Sequence, residues 1–449
     1  MQGYYAVQAI FLLGFSIIVT IIFLAPNKRR KNNLKGIFNL WDVIRYGLIR
    51  HLGKPNFEVM KTFEGTFGPV FMQNYSSHET LCVMDIGLAK KLMSRSVFAN
   101  RLPGNHIFYH RSNKKAWGPL FGDFKRNERV STQRFEHDDP HGHELHQYFH
   151  HWQQKFNFGS SIVSIFNWLR HIPKLTEHDS WIEGHQKLFE IFQTIIKEKQ
   201  VTKAYMDKPQ DCIDYFLQKM SLQDSNNIDD SKGNVLTEEI ILVTCADLFI
   251  AGSVNISYEL EFAILFMALY PSVQGKVQDE IDSIIGSNNS VPLLNSKNLM
   301  VYTEATTLEI LRYSSIIGML ARSSVEDARI NEIPVSKDTT IAINIFGIHF
   351  SSRIWEDPAE FKPERFLNAG GTAIVNQDKI IPFGYGKRRC FGESAARSTF
   401  FLFYTSLLQK FTFSISPNHG PPSLENLVGI AKSPKPYFVT VKERLNGIS

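Results

Sequence analysis

From Tyr4 to Ala25 the chain carries no charge, in the run YYAVQAIFLLGFSIIVTIIFLA. A helix needs about 20 apolar residues to cross a bilayer core. Pro26 ends the run, and Lys28, Arg29, Arg30, Lys31 and Lys35 follow it. Basic residues beside a span stay on the cytosolic side, which places the rest of the chain there. The run is longer than a signal-peptide core and lacks a basic leader, so it reads as an uncleaved anchor. The pattern then divides the chain into an anchor at 1–27, a basic linker at 28–60 and a single domain at 61–449.

Within the domain, Phe67–Phe71 and Thr80–Met84 read as strands and Asp85–Met93 as a helix. Helical spacing runs from 160 to 220, broken at Pro173 and Pro209. Ser221–Asn234 is polar and reads as a surface loop. Thr237 can cap the next helix, with Glu238 and Glu239 in its first turn. That helix is apolar from Ile240 to Leu269. Pro271 opens another, which Gly286 stops. Thr339–Ile345 is strand-like, 368–379 is a loop, and Ala395–Phe411 is helical. Leu424–Val441 reads as short strands broken by Pro434 and Pro436. The predicted fold is mainly α-helical with small β-sheets.

Composition narrows the picture a little. The chain has 449 residues, and its 43% apolar content supports a large core. Its net charge of +5 is too mild to argue for nucleic acid. The four cysteines, Cys82, Cys212, Cys245 and Cys390, are scattered, which argues against a disulfide scaffold. Six histidines crowd residues 137–151. His146 and His150 have the spacing of a zinc-binding pair. No third ligand is fixed by spacing, so a solvated polar face is the simpler reading.

The chemistry gathers at one cysteine. Phe383-Gly384-Tyr385-Gly386-Lys387-Arg388-Arg389-Cys390-Phe391-Gly392 runs directly into the last long helix. Free N–H groups and the helix dipole favour an ionised sulfur there. Gly386 and Gly392 let the backbone pass close to something bulky. Arg388 can pair with an anionic group such as a heme propionate. A thiolate beside a large flat ligand suggests axial ligation of heme iron by Cys390, beside the plainer reading of a lone cysteine as a small buried apolar side chain. The G-x-G in this loop lacks the strand and lysine of a phosphate cradle. Alanine-glycine at 251–252 sits in the middle of the long apolar helix, where glycine costs about 1 kcal/mol without a reason. A flat ligand lying against the helix is such a reason.

The spacing F-x-x-G-x-R-x-C-x-G resembles the heme-binding loop of the cytochromes P-450. Glu309-Ile310-Leu311-Arg312 and Pro363-Glu364-Arg365-Phe366 resemble two further motifs of that family, in the same order. Phe67–Phe71, Thr80–Met84, Asp85–Met93 and Phe98–Pro103 resemble its amino-terminal region. The resemblance implies the cytochrome P-450 fold, with heme as cofactor and Cys390 as proximal ligand. It implies Arg322 and Arg388 on the propionates, with Phe383 and Gly386 in the cofactor loop. Glu309, Arg312 and Arg365 are expected to form a buried triad, and His349 and Trp355 to lie in the family's H-x-x-P-x-x-W region. It also implies a monooxygenase in the endoplasmic reticulum membrane, acting on a small apolar substrate such as a steroid, fatty acid or foreign compound. Electrons would come from an NADPH-dependent reductase, with cytochrome b5 as a further partner.

Three departures qualify that expectation. The proline-rich hinge that usually follows the anchor is missing. Near 125–132 the family's W-x-x-x-R helix is also missing, and Trp117 has Phe121, not arginine, four residues on. An internal deletion of several tens of residues is the simplest account. On the long helix, Ala251 and Gly252 match the distal motif, but Val254 stands at its acid position and Asn255 at its alcohol position. Val254 relays no proton, and Asn255 does not titrate near neutrality. Two alternatives therefore stand beside the monooxygenase: an oxygen-independent isomerase or dehydratase, and a non-catalytic product.

Overall fold

The computed structural model describes residues 36–37, 55–73, 79–100, 178–225, 236–286, 292–429 and 431–444. The apolar run at 4–25, the basic residues after it, Trp117, the 125–132 junction and the histidines at 137–151 lie outside the described residues.

The described chain begins with β1 (Gly36–Ile37), α1 (Asn56–Thr62), α2 (Glu64–Phe67), β2 (Val70–Gln73), β3 (Thr80–Val83) and α3 (Ile86–Ser94). Asp85 caps α3 by accepting from the Leu88 N–H at 2.7 Å. Leu88, Ala89, Leu92 and Met93 then form its buried face. Phe67 closes α2 instead of opening the sheet. Gly68, at φ +89°, makes the turn from which β2 starts at Val70.

Next come α4 (His178–Thr202), α5 (Cys212–Ser225), α6 (Glu238–Leu269), α7 (Pro271–Ile285) and α8 (Val301–Ser314). Helix α5 runs five residues into the stretch read as loop, to Ser225. From its last turn Gln223 reaches out to accept the Leu236 N–H at 2.9 Å. Thr237 caps α6 as its sequence predicts, accepting from Ile240 N–H at 3.3 Å. Helix α6 is apolar all round because it serves two cores. Its first half packs with α4 and α5 through Ile241, Cys245, Ala246 and Ile250. Its last turns bury Phe262, Phe266 and Met267. Helix α6 is also long and apolar enough to cross a membrane, but it is the central helix of the domain.

The remaining elements are β4 (Leu320–Ser323), β5 (Ala328–Ile330), β6 (Ile333–Val335), β7 (Thr340–Ile343), α9 (Ile345–His349), α10 (Glu393–Lys410), β8 (Phe411–Ile415), β9 (Asn426–Val428), β10 (Lys432–Pro434) and β11 (Val439–Glu443). A five-stranded sheet has the order β1-β2-β3-β7-β4. Cys82 pairs with Phe71 on one side and with Ala342 on the other, and Ala342 pairs with Ala321. Among the described residues there are also three two-stranded ribbons. Mainly helical architecture with small sheets is thus what forms.

The Glu309–Arg312–Arg365 triad is present and buried. Arg312 donates to both Glu309 oxygens at 2.7 and 2.8 Å, and Arg365 Nε donates to Oε1 at 3.1 Å. Arg312 also donates to the carbonyls of His349, Pro358 and Glu360. One helix and the irregular segment at 349–366 are thereby pinned together. His349 is buried and lies well below its ordinary range, at about 3, through burial and the nearby Arg312 and Lys432 charges. Both its ring nitrogens are engaged, with Ser315 Oγ at 2.8 Å and the Ile381 N–H at 3.0 Å.

Candidate functional site

The cysteine loop folds back on itself. The Cys390 N–H donates to the Phe383 carbonyl at 2.9 Å, which closes the segment. Gly384 and Gly386 supply the turns, at φ +73° and +69°. A Cβ on Gly386 would lie 2.2 Å from the Met93 carbonyl oxygen. The end of α3 therefore crowds Gly386, a contact that the sequence alone does not foresee. At Gly392 a Cβ would meet only the Cys390 sulfur, at an ordinary 3.8 Å. No protein atom among the described residues demands glycine there. Gly386→Ala is expected to cost at least about 2 kcal/mol, since left-handed strain and a backbone clash add. A lowered midpoint in chemical unfolding would show it.

Cys390 stands just before α10 and is exposed. The neighbouring protein still strips water from its sulfur, and that burial pushes the thiol up. N–H groups of Gly392 and Glu393 bond to the sulfur and oppose the shift, with help from the Arg389 charge. The helix-start donors predicted from sequence are thus in place, but burial outweighs them in the protein alone. Glu393 was not singled out from the sequence, although its spacing of four from both Arg389 and Arg397 was legible. It accepts from Arg389 Nε at 2.5 Å and Arg397 Nε at 3.0 Å. Arg397 in turn lies over the Phe383 ring, 5.0 Å from its centroid.

Two arginines meet on the other side of the loop. Arg388 Nε donates to the Ala99 carbonyl at 3.1 Å. Next to Ala99, Asn100 bridges to Ser323 at the end of β4, so Arg388 and Arg322 are carried to the same place. Arg322 is 4% exposed, and its guanidinium donates to the Ala321 carbonyl at 2.9 Å. Among the described residues it forms no ion pair. Burial, together with the Arg388 charge, pushes it down to about 10. A buried guanidinium held beside a second one is costly unless an anion joins them.

Helix α6 has one open stretch. Residues on either side of it are buried, but Gly252, Ser253 and Ser257 are exposed, with Ala251, Val254 and Asn255 half-buried. A Cβ on Gly252 would meet nothing within 4 Å. Ser253 and Ser257 spend their hydroxyls on the carbonyls one turn back, at 2.7 and 3.0 Å. Asn255 Nδ2 does the same toward Ala251, at 3.0 Å. None of these replaces a titratable acid. Further along, Leu260, Ala263, Ile264 and Met267 of α6 meet Tyr404, Leu407 and Leu408 of α10. One seam thus joins the helix that follows the sulfur to the helix that carries the open stretch.

A heme fits these residues. The exposed sulfur would provide an iron ligand, and the paired arginines would provide for two carboxylates. The glycine on the open stretch of α6 leaves room against the backbone. The residues that would hold it are Cys390, Arg322 and Arg388, with Phe383 closing the loop.

A family model described as "Cytochrome P450" matches residues 127–441. The amino-terminal resemblance read at 67–103 lies outside the matched residues. The chain is 34% identical over 319 residues to the farnesoate epoxidase of Bombyx mori, covering 70% of this chain and 62% of that protein. It is 33% identical over 284 residues to cytochrome P450 2U1 of Homo sapiens, covering 63% and 51%. With cytochrome P450 2D4 of Rattus norvegicus it shares 32% over 316 residues, covering 69% and 61%. The chain thus spans about half to three-fifths of the length of these curated relatives. With a sulfur-bearing loop, a buried Glu-Arg-Arg triad and a match over most of its length, the chain belongs to the cytochrome P450 family.

Proposed function

We propose that the chain is a heme-thiolate monooxygenase that inserts one oxygen atom of dioxygen into a small apolar substrate. Cytochrome P450 proteins bind heme iron. Bound through a thiolate, heme supplies the electron density that favours cleavage of dioxygen. The observation that carries the reading is an exposed Cys390 in a loop flanked by two converging arginines. Cys390 serves as the iron ligand, and Arg322 and Arg388 hold the propionates. Phe383 fixes the loop through its carbonyl, and Gly386 lets that loop seat on α3. Ala251 and Gly252 leave space along α6, and Asn255 presents its amide there. Substrates are steroids, fatty acids or foreign compounds, and the likeness to a farnesoate epoxidase makes farnesoate the first to try. An NADPH-dependent reductase supplies electrons, with cytochrome b5 as a second donor. The apolar run at 4–25 anchors the chain in the endoplasmic reticulum membrane, with the domain in the cytosol.

A second reading rests on Val254 and Asn255. With valine in place of an acid and the Asn255 amide turned back on its own helix, proton delivery is poor. Oxygen-independent isomerase or dehydratase chemistry does not need it. The two readings separate when the full chain is loaded with heme and mixed with reductase, NADPH and farnesoate. NADPH-dependent oxidised product is expected. Turnover of a fatty-acid hydroperoxide without reductase, and no NADPH-dependent product, would select the second reading. No heme uptake would select the non-catalytic one.

A further inference from the structure

Where β10 packs on α6 lies a group of buried ionisable side chains that the proposed reaction does not use. Glu259, on α6, is 4% exposed. Ser314, at the end of α8, presents its hydroxyl to the Glu259 carboxyl, 3.0 and 3.2 Å from the two oxygens. Lys432, on β10, is 1% exposed. Its backbone N–H donates to the Ile316 carbonyl at 2.8 Å, which ties the β9–β10 hairpin to the segment between α8 and β4. Its ammonium lies over the rings of Phe346 and Phe57, 4.8 and 5.6 Å from their centroids. Among the described residues the Lys432 Nζ has no hydrogen-bond partner.

An orphaned ammonium and an acid with one hydroxyl partner are expensive in such a place. Rings offset part of that cost. Near enough for their charges to act on Lys432 are Glu259 from α6 and Glu58 from α1. His349 of α9 also feels Lys432, but both its nitrogens are occupied and it stays neutral. Arg312 of α8 is committed to Glu309. Exchange of protons is left to Glu259 and Lys432.

We propose that buried Glu259, with its Ser314 partner, and buried Lys432 act as a proton-binding clamp: β10 packs on α6, and how firmly it does so depends on how many protons these buried groups hold. Burial pushes Glu259 up to about 7, against the Ser314 bond and the Lys432 charge, which lower it. Burial pushes Lys432 down to about 7, against the charges of Glu58 and Glu259.

The signs follow from linkage. Between 4.5 and about 7 the folded state keeps the Glu259 proton that the unfolded chain releases. The contribution of Glu259 is therefore fully present below 4.5 and falls as pH rises through that window. Between about 7 and 10.5 the unfolded chain holds the Lys432 proton that the folded state has released. The contribution of Lys432 therefore rises across that second window. The clamp is weakest near pH 7.

The test is chemical unfolding of the full chain and of Glu259→Gln, Lys432→Met and the double variant across both windows. The wild-type-minus-variant difference for Glu259→Gln is expected to change by up to about tenfold in folding constant per pH unit on the acid side. Lys432→Met should do the same on the alkaline side, with opposite sign, and the double variant should lose both limbs. Differences that are constant with pH would mean a packing role only and would overturn the proposal. A measurement on the wild type alone guards against variants that fail to fold. Exchange protection of the Lys432 amide, corrected for the intrinsic pH dependence of exchange, should pass through a minimum near pH 7. Flat protection would overturn the proposal as well.

Discussion

Glu309→Ala is expected to cost about 3–5 kcal/mol of stability, the scale for breaking a buried ion pair from one side. Arg312 and Glu309 are both wholly shielded, with side-chain exposures of 0%, and Arg365 has only 7%. Removal of the carboxylate leaves two guanidiniums facing each other with no countercharge between them. It also orphans the Lys362 N–H, which donates to the same Oε1 at 2.8 Å. Total stability of a domain is about 5–15 kcal/mol, so this loss consumes a large share. Lys276→Ala is the control. Its partner Glu364 lies 2.8 Å away, but the lysine side chain is 56% exposed. Such a surface pair contributes under about 1 kcal/mol. Urea unfolding midpoints of the two variants should differ widely. Equal midpoints would mean that the triad does not hold the domain together.

Much of this architecture was readable in the residues because local signals and long-range packing agreed. Asp85, Thr237 and Pro271 each open a helix by a local rule, and each helix forms there. The triad was readable as a motif order, although its burial was not readable from spacing alone. Strands β4, β5 and β6 were not read at all. Each has three or four residues, too few to show an alternating pattern. Their stability comes from partners far away in sequence, as when Ala321 pairs with Ala342. At the candidate site, Cys390 and Arg388 stood out as candidates through spacing. The role of Gly386 did not, because the atom it must avoid belongs to Met93, almost 300 residues earlier, a separation that pattern reading does not span. The Glu259–Lys432 pair went unread for a similar reason. An acid in an apolar helix and a lysine in a late strand look unrelated until the fold brings them together.

Cys390→Ala is expected to abolish the thiolate-type Soret band of the reduced, carbon-monoxide-bound protein. Product formation should fall to background, by more than about 100-fold, since loss of even an outer-shell partner of a metal ligand costs 10–100-fold. The reasoning is local. Among the described residues no cysteine other than Cys390 is exposed, for Cys82, Cys212 and Cys245 are all buried. Burial pushes the Cys245 thiol well up, so it is no reserve of thiolate. Cys390→His separates ligation from thiolate chemistry. Imidazole can still bind iron, so pigment should survive while the thiolate band disappears. Arg322→Leu probes the opposite edge of the site. It removes a costly buried charge, so the protein without heme should hold or gain stability while heme retention falls. Pigment with an unchanged thiolate band in Cys390→Ala would show that the sulfur at this turn does not bind iron. The positions of the two arginines and the open stretch of α6 would then need another explanation.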